Sequence, residues 1–428
     1  MRRKREERRP GELVELSVER VGAQGDGIAS WRGEPVFLPF TAPGDRVQAR
    51  LGARRGLGWE GRVIGRLASG PGHIEAVCRH FGRCGGCALQ HLDEAAYRAV
   101  KLDALHTALR RVGIDPAVVG PLRVLPPARR RARFGLVRPN AAGAPPAIGF
   151  RERFSHALVD LSECAVLEPV LFALLAPLRS VAEALLPHGG IANVTLTRTD
   201  SGADLLIEAD KWPGLGALEA LAGLAAEWDL ARIVWRGHGG DMPVVERRPV
   251  RVRLSGVPVA FPPGGFLQAS EAAESILVEE VVVAVGTRRP VLDLFAGLGT
   301  FALALAPAGP THAVEGDSRS AEALTQAAAD MPHLTVEQRD LERDPLPVET
   351  LARYAAAVFD PPRAGARRQA AMLAASKLET IVAVSCNPST FARDASLLVA
   401  GGFRIERVVP VDQFVWSPHL ELAAVFRR

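Results

Sequence analysis

Apolar positions recur along this chain in three successive rhythms. Residues 11–68 carry short strand-like runs at 12–20, 28–31, 35–38, 47–51 and 60–67, cut by turn residues such as Gly22-Ala-Gln-Gly-Asp-Gly27. Short strands with frequent turns predict a small β-barrel, an architecture often used on oligonucleotides. Residues 93–112 then set Ala96, Val100, Ala104, Leu105, Leu109 and Val112 at helical spacing. Through residue 262, strand-like runs at 133–137, 193–199, 205–209, 232–235 and 250–254 mix with helical stretches at 169–186 and 215–228, as in an α+β domain. After the break Phe261-Pro-Pro-Gly-Gly-Phe266 a helix is expected over 270–284, and from 290 onward strand and helix alternate. That alternation predicts a mainly parallel, doubly wound sheet, so the chain reads as multidomain α/β divided at 9–68, 69–262 and 263–428.

A chain of 428 residues exceeds one ordinary core, which agrees with that division. Hydrophobic residues make up 48%, yet no stretch approaches the roughly 20 uncharged residues of a membrane span. The N-terminus, Met1-Arg-Arg-Lys-Arg-Glu-Glu-Arg-Arg-Pro10, lacks the apolar region of a secretory signal, so a cytoplasmic protein is expected. Those ten residues supply the whole net charge of +4, six Lys and Arg less two Glu. Distribution is more telling. Between Asp115 and Glu152 no acidic residue occurs, while Arg123, Arg129, Arg130, Arg131, Arg133, Arg138 and Arg151 do. A one-sign stretch suits a polyanion, here a nucleic acid, better than it suits a merely solvated loop.

Five cysteines, an odd number, argue against a disulfide framework. Cys78, Cys84 and Cys87 form C-x5-C-x2-C around Gly85-Gly86, a loop in which thiolates can turn toward one centre. Cys164 stands apart, and Cys386 follows an apolar run in Ser385-Cys386-Asn387-Pro388, where an α/β sheet presents catalytic groups. The bland alternative for any one of them is a small buried hydrophobe.

Asp293-Leu-Phe-Ala-Gly297-Leu-Gly299-Thr300 follows a strand and opens a helix, with glycines that let backbone approach a ligand. Spacing alone fits a dinucleotide as well. Asp293 four positions before the first glycine, Glu315 ending the next strand and Asp360-Pro-Pro-Arg363 ending a later one favour S-adenosylmethionine. Arg363 stands where amine-methylating enzymes carry an aromatic after D-P-P, which disfavours an exocyclic amine. Methylation at pyrimidine C5 instead needs a thiolate to add at C6 and a base to remove the C5 proton. Cys386 supplies the first, and Glu421, set in an apolar terminal strand, is the preferred base ahead of His419.

Taken together, C-x5-C-x2-C, D-L-F-x-G-x-G, F-D-P-P-R and S-C-N-P resemble the RNA uracil-5 methyltransferase family over nearly the whole chain. The branch it is similar to carries an N-terminal TRAM domain and a 4Fe-4S cluster, and acts on 23S ribosomal RNA. The resemblance implies a TRAM/OB-like barrel, a central iron-sulfur domain and a Rossmann-like class I methyltransferase domain. It implies Cys78, Cys84, Cys87 and Cys164 as cluster ligands, Cys386 as nucleophile and Glu421 as base. It puts Gln268, Phe295, Thr300, Glu315, Asp340 and Asp360 on S-adenosylmethionine-contacting positions, with Thr300 replacing the family's usual asparagine. By the same analogy the 93–112 helix packs with the catalytic domain, and a monomer acting on RNA is expected. Transfer RNA uracil-5 methylation is the nearest alternative. A cytosine-5 enzyme would carry a second cysteine where Pro361 stands, and an NAD or iron-sulfur redox enzyme or a zinc-bearing RNA-binding protein would share the loops without the chemistry.

Overall fold

The computed structural model describes residues 11–141 and 143–428; the basic tail and residues 9 and 10 of the expected barrel segment lie outside them. The chain divides into two compact units, Met1–Leu105 with Trp416–Pro418, and His106–Val415 with His419–Arg428.

In the first unit five strands, β1 (Leu13–Val21), β2 (Asp26–Trp31), β3 (Glu34–Pro39), β4 (Arg46–Arg55) and β5 (Gly58–Ala68), close a barrel in the order β1-β2-β3-β5-β4. Alternate residues such as Val14, Leu16, Val18, Val36, Leu38, Val47, Ala49 and Leu51 point inward, the period-2 pattern that the sequence carries. Closure leaves no open sheet edge. Asp45, fully buried, holds the barrel to the segment after β5: its carboxylate accepts from Ala42 N (2.9 Å) and Gly70 N (2.7 Å) and meets His73 Nδ1 at 2.9 Å. The cysteine loop follows, and Asp93 caps α1 (Glu94–Arg111) by accepting from Ala96 N. Trp416 belongs to this unit through hydrogen bonds with Ala88, Leu89 and Tyr97.

The second unit contains two large sheets. After β6 (Arg123–Val124), strands β7 (Arg131–Val137), β8 (Ala147–Arg151) and β9 (Leu158–Asp160) lead to α2 (Pro169–Ala173) and α3 (Leu175–Leu185). The single expected helix over 169–186 is thus broken at Leu174, which places Pro177 in the first turn of α3, where its missing N–H costs nothing. Strands β10 (Ile191–Thr199) and β11 (Gly202–Glu208), α4 (Leu215–Glu227), β12 (Arg232–Gly237) and β13 (Gly240–Glu246) complete a seven-stranded sheet, order β13-β12-β11-β10-β7-β8-β9. A hairpin of β14 (Arg251–Leu254) and β15 (Val257–Ala260) precedes α5 (Glu271–Val285).

The last part contains β16 (Val291–Leu294), α6 (Ala302–Leu305), β17 (Thr311–Glu315), α7 (Ser318–Ala327), β18 (Leu334–Gln338), α8 (Val348–Leu351), β19 (Ala356–Phe359), α9 (Arg367–Ala375), β20 (Thr380–Ser385), α10 (Pro388–Ala400), β21 (Arg404–Asp412) and β22 (Glu421–Arg427). They form an eight-stranded sheet, order β18-β17-β16-β19-β20-β22-β21-β6. Its first five strands run parallel, with β16, β19 and β20 wholly buried and edge strand β18 largely not, and β22 joins antiparallel to β20. Among the described residues no helix is long and apolar enough to cross a membrane.

Asp45→Ala should leave several buried donors unmet, at a cost of about 3 kcal/mol. Hydrogen exchange of the β1–β5 amides should quicken by roughly a hundredfold while β16–β20 amides are unaffected; unchanged barrel protection would remove Asp45 from this role.

Candidate active site

The candidate nucleophile, base and cofactor residues belong to the second unit, and most gather where strands of the eight-stranded sheet end, the usual ligand edge of an α/β sheet; Cys78, Cys84 and Cys87 belong to the first unit. Buried strand β20 passes into α10 through Cys386 and Asn387 alone. Asn387 caps that helix, its Oδ1 accepting from Ser389 N at 3.0 Å, and Pro388 fills the first helical position with no N–H to satisfy. Its Nδ2 also donates to Arg363 O at 3.1 Å, tying the loop of Cys386 to the Asp360-Pro-Pro-Arg363 loop. Cys386 is half-buried. Burial, then the Glu421 and Asp360 carboxylates, push its thiol up to about 11, with exposed Arg363 pulling the other way.

Glu421 opens β22 and is 2% exposed. The β20–β22 ladder ends on the pair Ser385 and Leu422, so Cys386 and Glu421 are the residues immediately beyond that pair on the two chains, and the Glu421 charge is felt at the Cys386 thiol. Burial, with the Asp360 charge behind it, holds the Glu421 carboxyl well above the usual range, against a hydrogen bond from Gln413. Burial likewise raises Asp360 to about 7, opposed by Gln268, whose Nε2 donates to Asp360 Oδ2 at 3.2 Å. His419, by contrast, is exposed, with its ring edge-on to Phe414.

The glycine turn lies beside these groups in the sheet. Phe295 (φ 60°), Gly297 (φ 57°) and Gly299 (φ 94°) all take the left-handed region, which costs a non-glycine residue about 1–2 kcal/mol. A Cβ at Gly299 would stand 2.4 Å from Leu324 Cδ1, so only glycine lets α7 pack there; one at Gly297 would meet nothing within 4 Å. Glu315 fixes the turn, accepting from Gly297 N through Oε2 and from Asp317 N through Oε1, both at 2.7 Å. Asp293 is fully buried, neither carboxylate oxygen has a hydrogen-bond partner, and burial holds its carboxyl well above the usual range, the nearby Ala302 amide offsetting only part. An open turn, an orphaned carboxyl and an acidic strand end fit a ligand that brings positive charge and hydroxyls, as S-adenosylmethionine does.

Other expected positions are less central. Asp340 is exposed, and its Oδ1 accepts from Glu342 N and Arg343 N in its own loop. Thr300 is half-buried at the end of the glycine turn. Cys84 is buried and accepts from Gly86 N at 3.4 Å; Cys78, Cys87 and Cys164 are half-buried. Among the described residues no three His, Cys, Asp or Glu side chains form a group able to hold a metal ion.

Two contributors escape a reading of the sequence. Gln413, just after β21, links Gln268 to Glu421 through its Nε2, at 2.7 Å and 2.8 Å. Arg130 is buried in an ion pair with Glu274 (2.5 Å), and its Nε donates to Gln268 O. The acid-free stretch around it is therefore not one exposed field: Arg131 donates to Gly264 O, Arg133 pairs with Glu208 and Arg123 with Glu280. In the sequence Gln413 is one of two polar residues, with Asp412, that follow the apolar run Val408-Val-Pro-Val411, and nothing there singles it out.

Comparison with known proteins agrees with this geometry. A family model described as tRNA (Uracil-5-)-methyltransferase matches residues 318–428, and one described as TRAM domain matches residues 7–52. An uncharacterized RNA methyltransferase of Caulobacter vibrioides is 41% identical over 428 residues, spanning 97% of this chain and 100% of that protein. The 23S rRNA (uracil(1939)-C(5))-methyltransferase RlmD of Chromohalobacter salexigens is 36% identical, over 96% of this chain and 89% of its own. Among solved structures, the Pyrococcus abyssi tRNA (uracil-54, C5)-methyltransferase in complex with S-adenosyl-L-homocysteine has the same fold, with TM-score 0.73, 24% identity and coverage of 96% of this chain and 100% of that one. The chain belongs to the S-adenosylmethionine-dependent RNA uracil-5 methyltransferase family, with an N-terminal TRAM domain.

Proposed function

We propose that this enzyme methylates a uridine of 23S rRNA at C5, with Cys386 as nucleophile and Glu421 as the base for the C5 proton. The observation that carries the two roles is a half-buried thiol at the end of the β20–β22 ladder that feels the charge of a buried carboxyl whose Oε1 has no hydrogen bond. S-adenosylmethionine, when bound, supplies the methyl group as an electrophile on a cationic sulfur. Asp293, Phe295, Thr300, Glu315 and Asp340 are the residues proposed to line its pocket, with Gln268 and Asp360 between it and the target base.

Uracil C5 becomes nucleophilic once Sγ of Cys386 has bonded to C6. With the thiol pushed up to about 11, its neutral form dominates at pH 7, and a neighbouring base takes the proton as attack begins. Asp360 is the neighbouring carboxyl that can take it, which leaves Glu421 ionised for the later step. Once C5 carries the methyl group, Glu421 accepts the C5 proton, the electron pair re-forms the C5–C6 double bond and the C6–S bond breaks. The thiolate then regains its proton from Asp360, and the C5 proton passes from Glu421 to solvent.

Support for 23S rRNA is the relative of that name at 36% identity; transfer RNA remains the second reading through the description of the matching family model. We assign RNA binding to the barrel of residues 9–68, iron-sulfur and RNA contacts to 69–262 and methyl transfer to 263–428, in a cytoplasmic monomer. The donor chemistry of Cys78, Cys84, Cys87 and Cys164 fits a 4Fe-4S cluster, and the Gly86 amide on Cys84 Sγ is the kind of hydrogen bond that steadies a ligating thiolate.

RNA containing 5-fluorouridine should form a stable adduct, since fluorine cannot leave as a proton does. Cys386→Ser should form none, and Glu421→Gln should form adduct on ordinary RNA but release it at least a hundredfold more slowly, roughly the scale of one general base. A deletion strain should lack one 5-methyluridine in 23S rRNA, restored by the wild-type gene and not by Cys386→Ser; loss from transfer RNA alone would move the target.

Anaerobically purified protein should contain about four iron and four sulfide per chain by the stoichiometry of such a cluster, falling on Cys84→Ala. Metal without sulfide would sink the cluster assignment and leave the methyl transfer standing.

Asp360 titrates near 7 in the folded protein against about 3.9 in an unfolded chain, so the folded state holds this proton more tightly. Its stabilisation is complete below about pH 4 and is lost as pH rises through 7. The Tm of Asp360→Asn relative to wild type should therefore climb between pH 4 and 8, by at most a few kcal/mol in stability; a difference that ignores pH would refute the raised value.

A further inference from the structure

We infer that Gln413 is the positioning residue of this site: it fixes the direction of the Gln268 amide and leaves Glu421 with one oxygen tethered and the other open to a proton. The inference rests on the assignment of Glu421 as the base. Gln413 is 5% exposed, and its Oε1 accepts from Ala269 N at 2.7 Å. A backbone N–H can only donate, so the amide cannot be turned end for end without setting donor against donor. Its Nε2 is thereby aimed at two acceptors, Gln268 Oε1 (2.7 Å) and Glu421 Oε2 (2.8 Å), which use both of its hydrogens.

The direction propagates. With its Oε1 occupied, Gln268 must turn Nε2 toward Asp360 Oδ2, at 3.2 Å. Glu421 receives its one hydrogen bond among the described residues at Oε2, while buried Oε1 has none. The anchor is itself rigid: Arg130 N donates to Ala269 O and Arg130 Nε to Gln268 O, and Ser270 caps α5 directly after them. A neutral donor at Oε2 also favours the ionised carboxyl, which is the form that can act as a base.

Gln413→Met keeps the length of the side chain and removes every hydrogen bond. Its KM for RNA and for S-adenosylmethionine should stay within about threefold, and kcat should fall roughly 10- to 100-fold, the usual scale for a misplaced proton acceptor. The acid limb of the kcat profile should move to higher pH. Adduct formation on 5-fluorouridine RNA should slow far less than release, because Asp360 can still take the thiol proton, while adduct on ordinary RNA accumulates. Gln413→Glu, of equal size, can donate to Glu421 only while protonated, so its activity should fall on the alkaline side where the wild type holds. This variant decides the matter if Gln413→Met no longer binds S-adenosylhomocysteine. Wild-type pH profiles in the variants that fold, or equal slowing of adduct formation and release, would overturn the role. If Glu421→Gln releases its adduct normally, the base assignment itself falls; if it traps adduct and the Gln413 variants do not, only the positioning role is lost.

Discussion

An antiparallel register governs this active site. β22 enters beside β20 with Ser385 opposite Leu422, and it pairs with β21 so that Val411 lies opposite Glu421. Cys386 and Glu421 lie just past the pair of Ser385 and Leu422, so backbone pairing brings thiol and carboxyl to the same end of the ladder, whatever their own attraction or repulsion. A slip of one residue would turn Glu421 to the opposite face and part it from Gln413. The parallel strands contribute differently, each ending in a loop that delivers one group: the glycine turn, Glu315, Asp360 and Cys386.

Those groups share one electrostatic condition. Asp293, Asp360 and Glu421 are all raised first by burial, and Asp293 and Glu421 are raised further by the charge of Asp360. The Asp360 charge makes it harder for the other two to ionise, and with that of Glu421 it raises the thiol of Cys386 as well. Proton position, rather than shape alone, therefore separates the resting site from a reactive one. Amide donors from Gln268 and Gln413 are the counterweights, worth more here than in water because the surroundings are dry.

Sequence patterning revealed the barrel, the alternating strands and helices and the strand-end motifs, because each is a local period or a short run of residue types. It missed β9, which is three residues long, and β18, whose Leu-Thr-Val-Glu-Gln lies at a sheet edge and keeps little apolar character. Arg130 looked like part of a polyanion surface because its partner Glu274 is far along the chain. Gln413 was illegible for the same reason: its acceptors and donor are set by folding, not by neighbours in sequence. Asp340, chosen by position in a motif, spends its Oδ1 on its own loop.

Glu315 carries a lesson of another kind. Both of its oxygens already receive backbone N–H groups, from Gly297 and Asp317. An amide side chain there would turn an NH2 group against one of those N–H donors. The acidic character of this strand end is therefore demanded by the shape of a neighbouring turn. Each oxygen keeps a second lone pair, so the carboxylate that shapes the turn can still accept from the hydroxyls of a ligand.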